Sequence, residues 1–168
     1  SSAASDVYKR QIKSNASYTE IKSPGHEGSI YYKELKKGTG TKPILFTSTV
    51  SLYARGWFVA DYPDNKYIRQ GTFFQSWLEA DGVPFTTVVS NVGVIPKGFS
   101  AYTLTKGVRV ALQYMHEGDK WEVWVPYTLG LGEDEGSVFR SVMPSATATR
   151  IPAYTTLVFE IEVVGVHS

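Results

Sequence analysis

Three histidines, His26, His116 and His167, are the only imidazoles in the chain, and they stand far apart with no H-E-x-x-H or comparable ligand spacing. Cysteine is absent, which excludes disulfides and thiolate metal sites. Glu133-Asp134-Glu135 offers hard oxygen ligands, but three adjacent carboxylates read as a solvated acidic loop, so no metal is expected. Gly130-x-Gly132-x-x-x-Gly136 has the outline of a phosphate loop. Acidic residues fill the place where a phosphate would sit, however, and no P-loop lysine follows. No G-x-S-x-G elbow is present, so triad chemistry has no foothold. What the chain does hold in quantity is aromatic side chains, 11 Tyr, 8 Phe and 4 Trp, many of them in strand-like stretches.

The elements that would position those side chains centre on Gly107 to Gly132. Val108, Ala111, Leu112 and Met115 follow an i, i+3, i+4, i+7 pattern, which predicts a short amphipathic helix over about Lys106 to His116. Gly118 in the turn after it is a candidate left-handed residue. Trp121, Val123 and Val125 alternate with Glu122 and Trp124, a half-buried strand that ends at Pro126. Leu157, Phe159, Ile161 and Val163 alternate with Glu160 and Glu162 in a second strand. Further strands are expected at Ser29–Leu35, from Leu45 through Leu52 into Phe58, around Gly71–Ser76 and at Val83–Val89. Residues 1–28 are polar and read as an N-terminal arm or tether, within which Tyr18 to Ile21 could form a short edge strand. Residues 29–168 read as the folded domain. Asn15-Ala16-Ser17 matches a glycosylation sequon, a triplet that is also common by chance.

Seventeen basic against sixteen acidic residues leave a net charge of +1, which gives no electrostatic case for nucleic acid or an anionic membrane as a partner. No apolar run reaches 18 residues, so no membrane span is expected. The chain opens on Ser1-Ser2-Ala3-Ala4-Ser5 without methionine. This suggests a mature or trimmed form, exported to a periplasm or tethered at a cell surface.

Three ordered blocks carry a resemblance. A-L-Q-x-M-x-x-G-D-K-W (Ala111 to Trp121), V-P-x-x-L-G-x-G (Val125 to Gly132) and I-P-x-x-x-x-L-V-F-E-I-E (Ile151 to Glu162) resemble the C-terminal half of FKBP-type peptidyl-prolyl isomerases. Tyr32, Leu35, Gly38 and Gly40 match the family's Y-x-x-L-x-x-G-x-G. Leu45 to Gly56 is similar to its V-x-V-H-Y-x-G strand, and Gly71 to Ser76 to its D-G-T-x-F-D-S. The resemblance implies an α+β fold, a twisted antiparallel sheet of five to six strands wrapped around one short helix. Asn91–Lys106 and the span between Gly132 and Ile151 would be lengthened loops.

The resemblance also implies an activity that needs no nucleophile, metal or cofactor. An X-Pro bond is held planar by resonance with a barrier of roughly 18–20 kcal/mol. Rotation breaks that resonance and leaves a less polar carbonyl, so a dry apolar cleft favours the twisted amide over the planar one. Carried over position by position, Phe74 and Phe159 match two of the family's cleft phenylalanines, Phe85 matches that of P-F-x-F, and Ile151 the isoleucine of I-P-P. The polar positions depart from the pattern. The H-Y tyrosine falls on Ala54, the F-D aspartate on Gln75, the A-Y-G tyrosine on Leu131, and the floor tryptophan on Val108 (or on Phe99 in a second register). Phe74, Gln75 and Phe159 are thus the catalytic candidates, and Ala54, Phe85, Val108, Leu131 and Ile151 the substrate-binding ones. The expected partners are proline-containing peptide or protein segments, with macrolide-type ligands for the same cleft. A weak isomerase is the leading reading. A non-catalytic binding module is the alternative, and a tethered domain with a vestigial cleft a third.

Overall fold

The computed structural model describes residue 12 and residues 15–25, 27–59, 69–75, 84–90, 105–130 and 156–167, with the backbone alone at 55, 57–59, 69–75 and 85. In chain order the elements are β1 (Thr19–Lys22), β2 (Ser29–Lys36), β3 (Thr49–Val59), β4 (Arg69–Gln75), β5 (Phe85–Val88), α1 (Lys106–Leu112), β6 (Lys120–Val125), a 3-10 turn at Tyr127–Leu129, and β7 (Leu157–His167). Six strands lie side by side in the order β1-β2-β6-β7-β3-β4. A further short strand, β5, pairs with the first part of β3 along the side where β4 pairs with its last part. Every pairing is antiparallel. This is the α+β architecture expected, with one strand more than the sequence suggested.

One face of the sheet packs on α1. Alternation along β7 sends Leu157, Phe159, Ile161 and Val163 into one core with Trp121, Val123 and Val125 of β6 and with Val108, Ala111 and Leu112 of the helix. Burying each such side chain contributes roughly 1.5–3 kcal/mol, and this face holds the larger of the two buried clusters among the described residues. The helix starts where Thr105 caps it, its hydroxyl accepting the Val108 N–H at 3.4 Å. It ends at Leu112, earlier than the apolar pattern suggested, because Gln113 caps it with its N–H directed to the Ala111 and Arg109 carbonyls. Met115 is still buried, but from the turn that follows.

That turn is fastened to the rest of the chain. Asp119 is buried; its carboxylate accepts the Gly38 N–H at 2.7 Å and the His116 N–H at 2.9 Å. Gly118 has the left-handed φ of 92° and donates its N–H to the Val163 carbonyl at 2.8 Å. A Cβ on Gly38 would run into the Glu117 carbonyl oxygen, so only glycine lets the loop after β2 approach so closely.

The outer face departs from expectation. Glu122 and Trp124 of β6, and Glu160 of β7, were positioned for solvent by the alternation, yet Glu122 is 6% exposed, Trp124 2% and Glu160 9%. The cover comes from the stretch read as an arm. Ile12 is fully buried with Tyr31, Trp124 and Val158, and Tyr18 packs against that cluster. Tyr18 stands edge-on to Trp124, ring centroids 6.4 Å apart. Its hydroxyl donates to Glu122 Oε1 at 3.1 Å, and the Trp124 indole donates to the same oxygen at 2.9 Å. The carboxylate is therefore buried with hydrogen bonds to satisfy it. Beyond Tyr18 the chain pairs as β1 with β2. A second revision concerns β3, which begins at Thr49 and not at Leu45. The Ser48 hydroxyl accepts the Leu45 N–H at 2.9 Å and folds 45–48 into a turn.

Candidate active site

The site is built on one row across the sheet. Phe159 of β7 is the register partner of Val123 on β6 and of Gly56 on β3, and Gly56 is in turn the partner of Phe74 on β4. Gly56 carries no side chain, so β3 puts nothing between the Phe159 and Phe74 positions. The sequence reading gave Gly56 no role, although the family's H-Y-x-G glycine coincides with it. Ala54 lies two residues earlier on β3, opposite Ile161 of β7. Phe85 lies opposite Leu52, and Gln75 opposite Arg55. The pairing of β5 thus ends at Leu52, that of β4 begins at Arg55, and the two strands flank Ala54.

From the other side α1 closes on the sheet. Gly107 allows this, since a Cβ there would meet Val125 Cγ1 at 2.5 Å and Ile30 Cγ2 at 3.2 Å. The close approach brings Val108 into the same core cluster as Ala54 and Phe159. All three are covered, Ala54 at 2% exposure and Val108 and Phe159 at 3%. The structure therefore joins Ala54, Val108 and Phe159 in one packed group and by register sets Phe74 and Phe85 in rows that include its core residues Phe159 and Val163, whereas Gln75 falls in the row of Arg55, Glu160 and Glu122. Leu131 and Ile151 lie outside the described residues, as does Phe99, the alternative floor.

Electrostatically the described part of the site is bare. Ala54, Val108 and Phe159 are apolar, and among the described residues no group of three or more His, Asp or Glu side chains is gathered to hold a metal. Arg109, next to Val108, has its guanidinium pKa pushed down from the usual arginine range by burial, and its Nε has no hydrogen-bond partner among the described residues. Chemically, the described part of the site offers packed apolar side chains. Among the described residues the row itself holds no carboxylate, imidazole or amine; the first hydroxyl along it from Phe159 is that of Tyr32, the register partner of Val123.

Comparison with known proteins agrees with the architecture. The family model for FKBP-type peptidyl-prolyl cis-trans isomerases matches residues 48–164, and the chain belongs to that family. The macrophage infectivity potentiator of Trypanosoma cruzi is 31% identical over 99 residues, covering 59% of this chain and 38% of that protein. The chain thus spans well under half the length of that relative. Among solved structures, a peptidyl-prolyl cis-trans isomerase from Pseudomonas syringae pv. tomato superposes with a TM-score of 0.64 at 24% identity, covering 98% of this chain and 92% of its own. FkpA from Escherichia coli gives 0.59 at 19% identity, covering 98% of this chain and 57% of its own. At these identities the two structures speak for the fold alone.

Proposed function

We propose that the chain is a peptidyl-prolyl cis-trans isomerase acting on X-Pro bonds of protein substrates. It works by desolvating and twisting the amide in an apolar cleft, at a rate below that of family members with a polar rim. The observation that carries this reading is the row Phe159–Gly56–Phe74, with Ala54 and Val108 beside it, which gathers apolar candidates from four separate elements. Phe74, Gln75 and Phe159 would contact the reacting amide, while Ala54, Phe85, Val108, Leu131 and Ile151 would hold the flanking residues. Proline-containing segments are the proposed substrates, and macrolide-type ligands would compete for the same apolar surface. Likeness to a relative named for its effect on macrophages supports an exported setting, in a periplasm or tethered at a surface.

One observation favours a second reading. Ala54, Val108 and Phe159 are each at most 3% exposed, so the apolar floor is covered and not open to solvent. A fold whose floor is filled would serve as a non-catalytic module that holds peptides or partner proteins, chaperone-like, on another surface. Exchange NMR on a short X-Pro peptide separates the two. An isomerase produces cis–trans exchange that grows with protein concentration. A binding module produces shifts or broadening without faster exchange, and that result would overturn the isomerase reading.

A further inference from the structure

The turn that leads into β1 carries a feature that prolyl isomerisation does not use. Asn15-Ala16-Ser17 is the one N-x-[ST] triplet in the sequence, its middle residue is not proline, and all three residues are exposed. The turn is fixed at both ends. The Asn15 N–H donates to the Ile12 carbonyl at 3.1 Å, and the Tyr18 N–H donates to the Asn15 carbonyl at 3.1 Å. Ile12 is fully buried in the outer-face cluster, and Tyr18 is hydrogen-bonded to Glu122. The triplet is thus held up to solvent between two anchors. Within it, Asn15 Oδ1 accepts the Ser17 N–H at 2.9 Å, and among the described residues no hydrogen bond engages Asn15 Nδ2.

We infer that Asn15 is an acceptor for N-linked glycosylation when the chain passes through a glycosylating secretory pathway. The donor class is an oligosaccharide on a lipid pyrophosphate. A transferase forms the bond from Asn15 Nδ2 to the sugar C1 as the C1–O bond to the pyrophosphate breaks. The lipid pyrophosphate leaves, and Nδ2 gives up one proton. Position argues for tolerance of the bulky product. Ile12 and Tyr18 lie over the face formed by Tyr31, Trp124 and Val158, whereas Ala54, Val108 and Phe159 belong to the opposite, helix-covered face. A glycan on Asn15 therefore projects away from the candidate site. The inference rests on the exported reading for its biological setting, but its chemistry can be tested apart from that reading.

For the test, the full chain is fused to a cleavable eukaryotic secretory leader. Intact mass is then measured on all leader-cleaved protein, retained or secreted, before and after peptide N-glycosidase. The expected result is a carbohydrate mass on the wild type that the enzyme removes, leaving Asp at position 15. Asn15→Gln and Ser17→Ala should lose the mass, and Ser17→Thr should keep it. Glycosylated and deglycosylated forms should turn over an X-Pro peptide at the same rate. Wild-type and Ser17→Thr proteins that both emerge unmodified would overturn the inference, as would carbohydrate that persists in Asn15→Gln. Finding the natural protein in the cytosol would sink the exported setting alone.

Discussion

Phe159 of β7 and Phe74 of β4 are register partners of the same residue, Gly56, from its two sides. Two phenylalanine positions 85 residues apart in sequence are thereby brought to neighbouring places across a strand that offers only backbone between them. No polar residue is needed to create this relationship. It follows from the antiparallel pairing of β3 with both neighbours and from a glycine at one position.

Phe159 is buried in the main core, and its loss would leave a cavity facing Val123 and Gly56. Phe159→Ala is expected to cost about 3–5 kcal/mol of unfolding free energy. Chemical denaturation checks this, and a loss under about 1 kcal/mol would contradict the core assignment.

At Gly107, α1 lies against Val125 of β6 and Ile30 of β2. Gly107→Ala would push a methyl into Val125 Cγ1, and the resulting overpacking should cost about 1–3 kcal/mol. Because Val108 moves with the helix, peptide affinity should fall as well. A variant as stable as the parent would show that the helix stands further from β6.

Within the arm, Ile12, Tyr18 and β1 pack on the domain. Ile12 is fully buried under the outer face, so Ile12→Ala should cost about 2–5 kcal/mol. Deleting residues 1–25 removes Ile12, Tyr18 and β1 together and should lower the melting temperature further. Thermal unfolding of both variants is the check, and an unchanged melting temperature in the deletion would refute the docking.

The strands of the main core were legible because their alternation is local. Leu157 to Val163 and Trp121 to Val125 announce one buried face through period two alone. The second buried face was not legible. What covers Glu122 is Tyr18, 104 residues earlier, in a polar segment whose apolar periodicity is weak. A glutamate in an alternating strand reads as solvent-facing unless its distant hydrogen-bond donors are known. Leu45 to Thr47 misled in the opposite sense, since β-branched and apolar residues suggested strand where one serine hydroxyl sets a turn. At the site, apolar candidates such as Phe74 and Phe159 could be named from family motifs, and so could the replacement of tyrosine by Ala54, but not the register that places Gly56 between the two phenylalanine positions. Whether the floor lies open could not, because the burial of Ala54, Val108 and Phe159 depends on contacts between elements far apart in sequence.

Apolar walls without the polar rim are expected to isomerise X-Pro bonds slowly. Removing a hydrogen bond to the reacting centre typically costs about 10²–10³ in rate. The direct measurement is a protease-coupled assay of kcat/KM on one X-Pro peptide, comparing the wild type with the double variant Ala54→Tyr, Gln75→Asp and with a standard family member. The wild type should accelerate isomerisation measurably but fall about 10²–10³ below the standard enzyme, and the double variant should gain. Circular dichroism confirms that the added tyrosine has not unfolded the core. Full standard activity in the wild type, or no acceleration in either protein, would contradict the account.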